Sequence, residues 1–199
     1  MNKDGFTPEL RGKLFGALTG RAGDVSGRRD GDVRGMLMAI GGPARTKSGI
    51  DLSAAAKTLG VTRRTVERWV TDGAEKGRPG GKNLDNLVGK ARQAATTKRG
   101  RRAALTDARK GPATRYGAKM TVRGEQGPTM QGKEYRRFRK LDLVLTPDNV
   151  EEMLDAYEKG GDKAFMSWLE GYTDENYLEG WGFDSIADMD LTDPRESGW

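Results

Sequence analysis

The chain has 199 residues, 35 Lys+Arg against 29 Asp+Glu, a formal net charge of +6, and neither Cys nor His. The missing thiolate and imidazole exclude a disulfide framework, a zinc ribbon, a cysteine nucleophile, and any triad or relaxase that moves its proton through histidine. With 35% hydrophobic residues and 29 glycines, the length suits one large domain or two small ones, built of small packed units joined by flexible segments.

No apolar run approaches the ~20 residues of a membrane span, and Met1 to Leu10 holds no signal-peptide core, so a cytoplasmic protein is expected. The charge divides along the chain. Residues 1–50 carry +4, residues 51–140 carry +15 and residues 141–199 carry −13. Clustered Lys and Arg bind a polyanion by releasing its condensed counterions, which makes nucleic acid the leading partner. The competing reading is a basic face neutralised by the acidic C-terminal third.

In chain order, residues 1–30 are expected to form a flexible arm, with a weak helix around Leu14, Phe15 and Leu18 and a linker from Gly20 to Gly31. Residues 31–95 read as a helical DNA-binding domain. Val33, Leu37 and Ile40 recur at helical spacing before Gly41-Gly42-Pro43, a second pattern runs from Leu52 to Val70 with a break at Gly60, and a short helix spans Leu84 to Ala95. Residues 96–114, rich in Arg, Lys and Thr, are expected to be a basic linker that is mobile without DNA. Residues 115–199 form a small α+β domain with an acidic end. Lys119 to Arg123 suits a short strand, and Leu141, Leu143 and Leu145 alternate with Asp142, Val144 and Thr146. Asp148 caps a helix from Val150 to Tyr157, Asp162 to Leu169 forms another, and Gly180 to Leu191 supplies a last strand. The fold class expected is α+β, helices first.

The sharpest local signal lies between Leu52 and Val70. A helix-turn-helix needs a small residue where its helices approach most closely, here Ala56, and four residues later one that tolerates positive φ, here Gly60. Leu59, Val61, Val66 and Trp69 then point into the angle between the helices, and Thr62 caps the second. Left outside are Arg63, Arg64, Glu67 and Arg68, side-chain types that reach guanine edges, cytosine amino groups and phosphates in the major groove. Two packed helices serving protein contacts would show the same pattern.

Three further basic segments follow. The loop from Lys76 to Lys82, with Lys76 and Arg78, suits flanking phosphates or a solvated loop. Lys98, Arg99, Arg101 and Arg102 come from a stretch without aromatics, which favours backbone tracking over base stacking. Arg136 and Arg137, between Tyr135 and Phe138, suit nucleic-acid contact or packing around the next strand. The carboxylates Glu151, Asp155, Asp184, Asp188 and Asp190 make no constellation that predicts a metal of the protein's own. They suit a solvated acidic surface, a DNA mimic, or a dock for a basic partner, including the protein's own basic segment.

Leu59-Gly-Val-Thr-Arg-Arg-Thr-Val-Glu-Arg68, Ala91-Arg-Gln-Ala-Ala-Thr-Thr97, Arg115-Tyr-Gly117 and the strand-then-helix passage Leu141 to Tyr157 together resemble the telomere terminal proteins that cap linear actinomycete chromosomes and plasmids. The resemblance implies a protein primer that stays covalently attached to the 5′ end of the DNA, a threonine hydroxyl accepting the first deoxynucleotide. It implies a DNA polymerase and a telomere-associated DNA-binding protein as partners, with the Mg and the deoxynucleotide supplied at the polymerase, and a place in the nucleoid. In the family the acceptor lies between the Arg-aromatic-Gly segment and the strand, a window holding Thr121 and Thr129. Thr129, expected in a turn-forming loop from Gly127 to Gly132, is the first choice, although Met130 stands where the family has a second hydroxyl residue. Thr121 is the second; Thr114 and Tyr135 remain candidates outside the window. Two other functions fit the residues: a non-catalytic plasmid replication, partition or transcription regulator that dimerises through its C-terminal half, and a recombinase or nuclease acting through Tyr116 or Tyr135.

Overall fold

The computed structural model describes residues 7–71 and 77–192. Its first half is helical: α1 (Pro8–Thr19), α2 (Val33–Gly41), α3 (Leu52–Leu59), α4 (Arg63–Val70), α5 (Gly81–Thr96) and α6 (Lys98–Ala108). Local chemistry sets most of the boundaries. Thr7, Asp32, Asp51 and Thr62 each accept a hydrogen bond from a first-turn amide of α1 to α4. Met36, Leu37, Ile50, Ala55, Val66, Leu87 and Ala91 close one apolar core among α2 to α5.

The second half is a short α7 (Ala113–Tyr116), a five-stranded antiparallel sheet and α8 (Pro147–Asn176). β1 (Ala118–Met130) is the centre and pairs with every other strand: β2 (Lys133–Glu134), β3 (Arg137–Leu145), β4 (Trp181–Phe183) and β5 (Asp188–Thr192). The alternation expected in β3 is present, with Leu141, Leu143 and Leu145 buried beside Met120 and Val122 of β1. That face packs on Val150, Met153, Leu154, Phe165 and Leu169 of α8. The helix cap lies two residues earlier than Asp148. Thr146 and Asn149 form a reciprocal capping box, and Pro147 occupies the first turn. The break expected at Gly160-Gly161 is a kink, with Gly161 at φ 65°.

Residues 7–30 and 96–114 differ most from expectation, residues 1–6 of the expected arm lying outside the described residues. α1 is not an arm: Leu10, Leu14 and Leu18 enter the sheet core while Phe15 enters the helical core. α6 replaces the basic linker, with Leu105 in one core and Ala104 in the other. These two helices form the seam of the molecule. α6 turns back sharply on α5, Thr97 ending one helix and capping the other. Only glycine fits at Gly100, where a Cβ would lie 2.0 Å from the Gln93 carbonyl oxygen.

Candidate nucleic-acid interface

α3 and α4 meet through Gly60, whose φ of 68° is the left-handed turn expected there, and no atom crowds the place of a side chain. The requirement for glycine at that position is therefore conformational rather than steric. The Val61 amide donates back to the Ala56 carbonyl at 3.1 Å, and the Thr62 hydroxyl accepts from the Thr65 amide at 3.2 Å. Ala56, Leu59, Val66 and Trp69 are buried. Asn86 of α5, unmarked by any sequence signal, donates to the Leu59 carbonyl at 3.0 Å and ties the corner to its support.

This packing turns Thr62, Arg63, Arg64, Glu67 and Arg68 outward, all exposed. Among the described residues none of Arg63, Arg64 and Arg68 takes part in a salt bridge. Beside them lies a cleft of about 730 Å³, lined by Arg34, Thr46, Lys47, Ser53, Arg63 and Glu67. Sequence reasoning missed the first four. Thr46 and Lys47 had a signal in the Thr46-Lys47-Ser48 run just ahead of the α3 cap, whereas Arg34 and Ser53 had none. Arg78 is exposed past the end of α4, in a segment pinned by the Gly77 amide donating to the Arg68 carbonyl at 2.9 Å. Lys76 lies outside the described residues.

The basic residues of α6 part company. Lys98 and Arg99 are exposed at its first turn. Arg101 is not available to DNA: it is 6% exposed, donates to the carbonyls of Glu158 at 3.0 Å and Ala95 at 3.3 Å, and sits 5.7 Å over the Tyr157 ring. Arg102 is mostly exposed, 3.9 Å from Glu158. Arg109 engages Glu158 at 2.6 Å, Asp155 at 2.7 Å and Glu151 at 3.6 Å. Burial is the largest single influence and works against the Arg109 charge, but the hydrogen bond and charge of Glu158, together with the charges of Asp155 and Glu151, outweigh it and raise the pKa. The acidic face of α8 thus docks the chain's own basic helix.

Both threonines of the acceptor window lie in β1. Thr129 is not in a loop but two residues before the Gln131-Gly132 turn, paired with Glu134. It is exposed, its amide bonded to the Gly180 carbonyl and its hydroxyl accepting from Arg136 Nη2 at 3.2 Å. Arg136 also bonds the Gly127 carbonyl and reaches Asp184 at 3.3 Å, so its guanidinium is largely spent within this corner. Arg137 is exposed, as are Met130, Tyr135 and Phe138. Thr121 stands on the open sheet face and donates to Asp142 Oδ1 at 2.7 Å. Partial burial pushes the Asp142 carboxyl up, but hydrogen bonds from Lys140, Thr121 and Lys119 outweigh it and hold the group at about 2. Thr114 is turned inward, donating to the Arg109 and Gly111 carbonyls.

No family model matches the chain, and no curated protein or solved structure is significantly similar to it. Among the described residues no helix is long and apolar enough to cross a membrane.

Proposed function

We propose that the protein is a DNA-binding terminal protein. α3 and α4 act as a helix-turn-helix that sets α4 into the major groove, and the Thr129 hydroxyl primes the synthesis that fills a DNA 5′ end. The observation that carries the DNA-binding half is the outer face of α4, where three arginines free of salt bridges among the described residues flank Glu67. The desolvation of an arginine already paired to a carboxylate would oppose binding; these have no such pairing to break.

The priming half rests on the resemblance and on the exposure of Thr129 beside Arg136. The threonine Oγ attacks the α-phosphorus of a deoxynucleoside triphosphate, the bond to pyrophosphate breaks, and the hydroxyl proton passes to solvent or to a base of the polymerase. Magnesium held by the polymerase activates the triphosphate, so no histidine base is needed in this chain. The 3′-OH of the linked nucleotide is then extended. The partners are terminal DNA, a DNA polymerase and a telomere-associated DNA-binding protein, in the nucleoid.

The test is transfer of labelled deoxynucleotide to the purified protein in a host polymerase extract with terminal DNA. Label that survives denaturant on the wild type and on Thr121→Ala, and is lost from Thr129→Ala, is the expected result. Absence of label under conditions where the protein still shifts DNA leaves a non-catalytic regulator that reads DNA through α4.

A further inference from the structure

A cleft of about 480 Å³ opens where the end of α3, the middle of α5 and the start of α6 converge, away from Arg63, Arg64, Glu67 and Arg68. Its lining includes Arg21, Lys57, Thr58, Lys90, Thr97 and Arg99, four cations and two hydroxyls without a carboxylate among the lining residues. Lys57, Lys90 and Arg99 are exposed, and none takes part in a salt bridge among the described residues.

Two features aim this cleft at an anion. The first is the N-terminus of α6, an 11-residue helix whose Thr97 cap and Gly100 are both in the lining. Its cap satisfies the Gly100 amide, while the amides of Lys98 and Arg99 lie in the first turn, where no intrahelical acceptor is available. The second is Arg21, which lines the cleft with a side chain 10% exposed and whose buried Nε has no hydrogen-bond partner among the described residues. Its Nη1 reaches the Ala39 carbonyl and its Nη2 reaches Asp107, each at 3.4 Å, long contacts that leave the guanidinium incompletely satisfied. Among the described residues Asp107 is the one carboxylate it meets, and it is itself 67% exposed.

We propose that this cleft is a phosphate-binding site, distinct from α4. A tetrahedral phosphate group seated at the first turn of α6 takes the helix amides on one side and Lys57, Lys90 and Arg99 on the other, with Arg21 below. Two sources carry the same chemistry: a backbone phosphate of DNA passing over the α5–α6 corner, and the phosphates of a free nucleotide. The site does not depend on DNA reading by α4, and the two fail separately.

Pyrophosphate titrated into the full chain, followed by calorimetry, is the direct probe. The double variant Lys90→Gln/Arg99→Gln changes two exposed side chains and keeps the fold, which an unchanged thermal melt verifies. Its pyrophosphate affinity is expected to fall at least tenfold, with Arg63→Ala/Arg64→Ala unaffected. For a DNA source, duplex affinity falls with it and the slope of log K against log salt drops by about two in the double variant. For a nucleotide source, deoxynucleoside triphosphate affinity falls while the duplex slope stays. Equal pyrophosphate affinity in wild type and double variant, with an unchanged duplex slope, overturns the site.

Discussion

Two stretches of this chain carry nearly the same charges: Arg63, Arg64 and Arg68 on α4, and Lys98, Arg99, Arg101 and Arg102 on α6. α4 packs with Val66 and Trp69 against uncharged neighbours, so its arginines reach solvent unpaired by any described carboxylate. α6 lies between α5 and the acidic face of α8, and Arg101 is drawn inside. A buried guanidinium without acceptors would cost several kcal/mol, and here the Glu158 and Ala95 carbonyls and the Tyr157 ring offset that cost. What a run of arginines does is therefore decided by the element packed against it. The +15 of the central segment divides into charge presented outward and charge spent on joining the two cores.

The largest expected effect breaks this division at Arg101. Arg101→Met keeps the stem but strands two buried carbonyls, and is expected to cost about 3 kcal/mol of stability, roughly 6–12 °C in melting temperature. Arg101→Lys recovers part of that loss. A melt of Arg101→Met within a degree of wild type would mean that α6 is not anchored as described. Gly161→Ala attacks the same joint from α8. The residue needs φ 65°, and a Cβ there would stand 3.0 Å from Arg101 Nη1, so a loss of about 1–3 kcal/mol is expected by calorimetry.

Substitution on α4 is expected to do the reverse. Arg63→Ala/Arg64→Ala leaves stability within about 0.5 kcal/mol, since both side chains are exposed and unpaired among the described residues. It lowers duplex affinity by about 2 kcal/mol, some thirtyfold, in a gel shift at fixed salt. Loss of stability without loss of affinity would remove the distinction between the two helices.

This distinction was half legible in the sequence. α2, the α3–α4 corner and β3 depend on local signals that survive in any context: a cap, a glycine at positive φ, an alternation of leucines. α6 depends on contacts made at long range. Its buried residues are Arg101, Ala104 and Leu105, too few and too mixed to show apolar periodicity, and its docking partner lies some fifty residues away. The length of β1 was hidden for a related reason. Gly124, Gly127 and Pro128 look like turn residues, yet Gly124 admits the Ser185 carbonyl, 2.1 Å from the position of a Cβ, and Gly127 that of Tyr135, at 2.2 Å. Pro128 falls in the gap on one side, after pairing with β3 ends at Gln126 and before pairing with β2 begins at Thr129. Thr129 therefore reads as a loop residue in the sequence, whereas it is the penultimate residue of β1. α1 reads in the sequence only as a weak helix within an arm, because its glycines dilute the apolar residues and its buried side chains divide between two cores.

The smallest expected effect sharpens the comparison by pH. The Asp155 carboxyl is held below its ordinary value, chiefly by the hydrogen bond from Lys159 and further by Arg109. A depressed carboxyl contributes stability that is whole above its unfolded-state pKa and is lost as pH falls through its folded-state pKa. The Arg109 share of that contribution joins α6 to α8. Arg109→Ala is expected to cost about 1 kcal/mol at pH 6, the group being only partly exposed and the three carboxylates close together. The deficit should shrink steadily below about pH 5, because protonation of Asp155 weakens in the wild type the same bond that the substitution removes. α4 has no counterpart among the described residues, so the small stability difference between Arg63→Ala/Arg64→Ala and wild type should stay level over the same range. Denaturant melts of the three proteins at pH 6, 4.5 and 3 read both trends, and a deficit for Arg109→Ala that does not narrow would show that Arg109 holds α6 by packing of its stem rather than by charge.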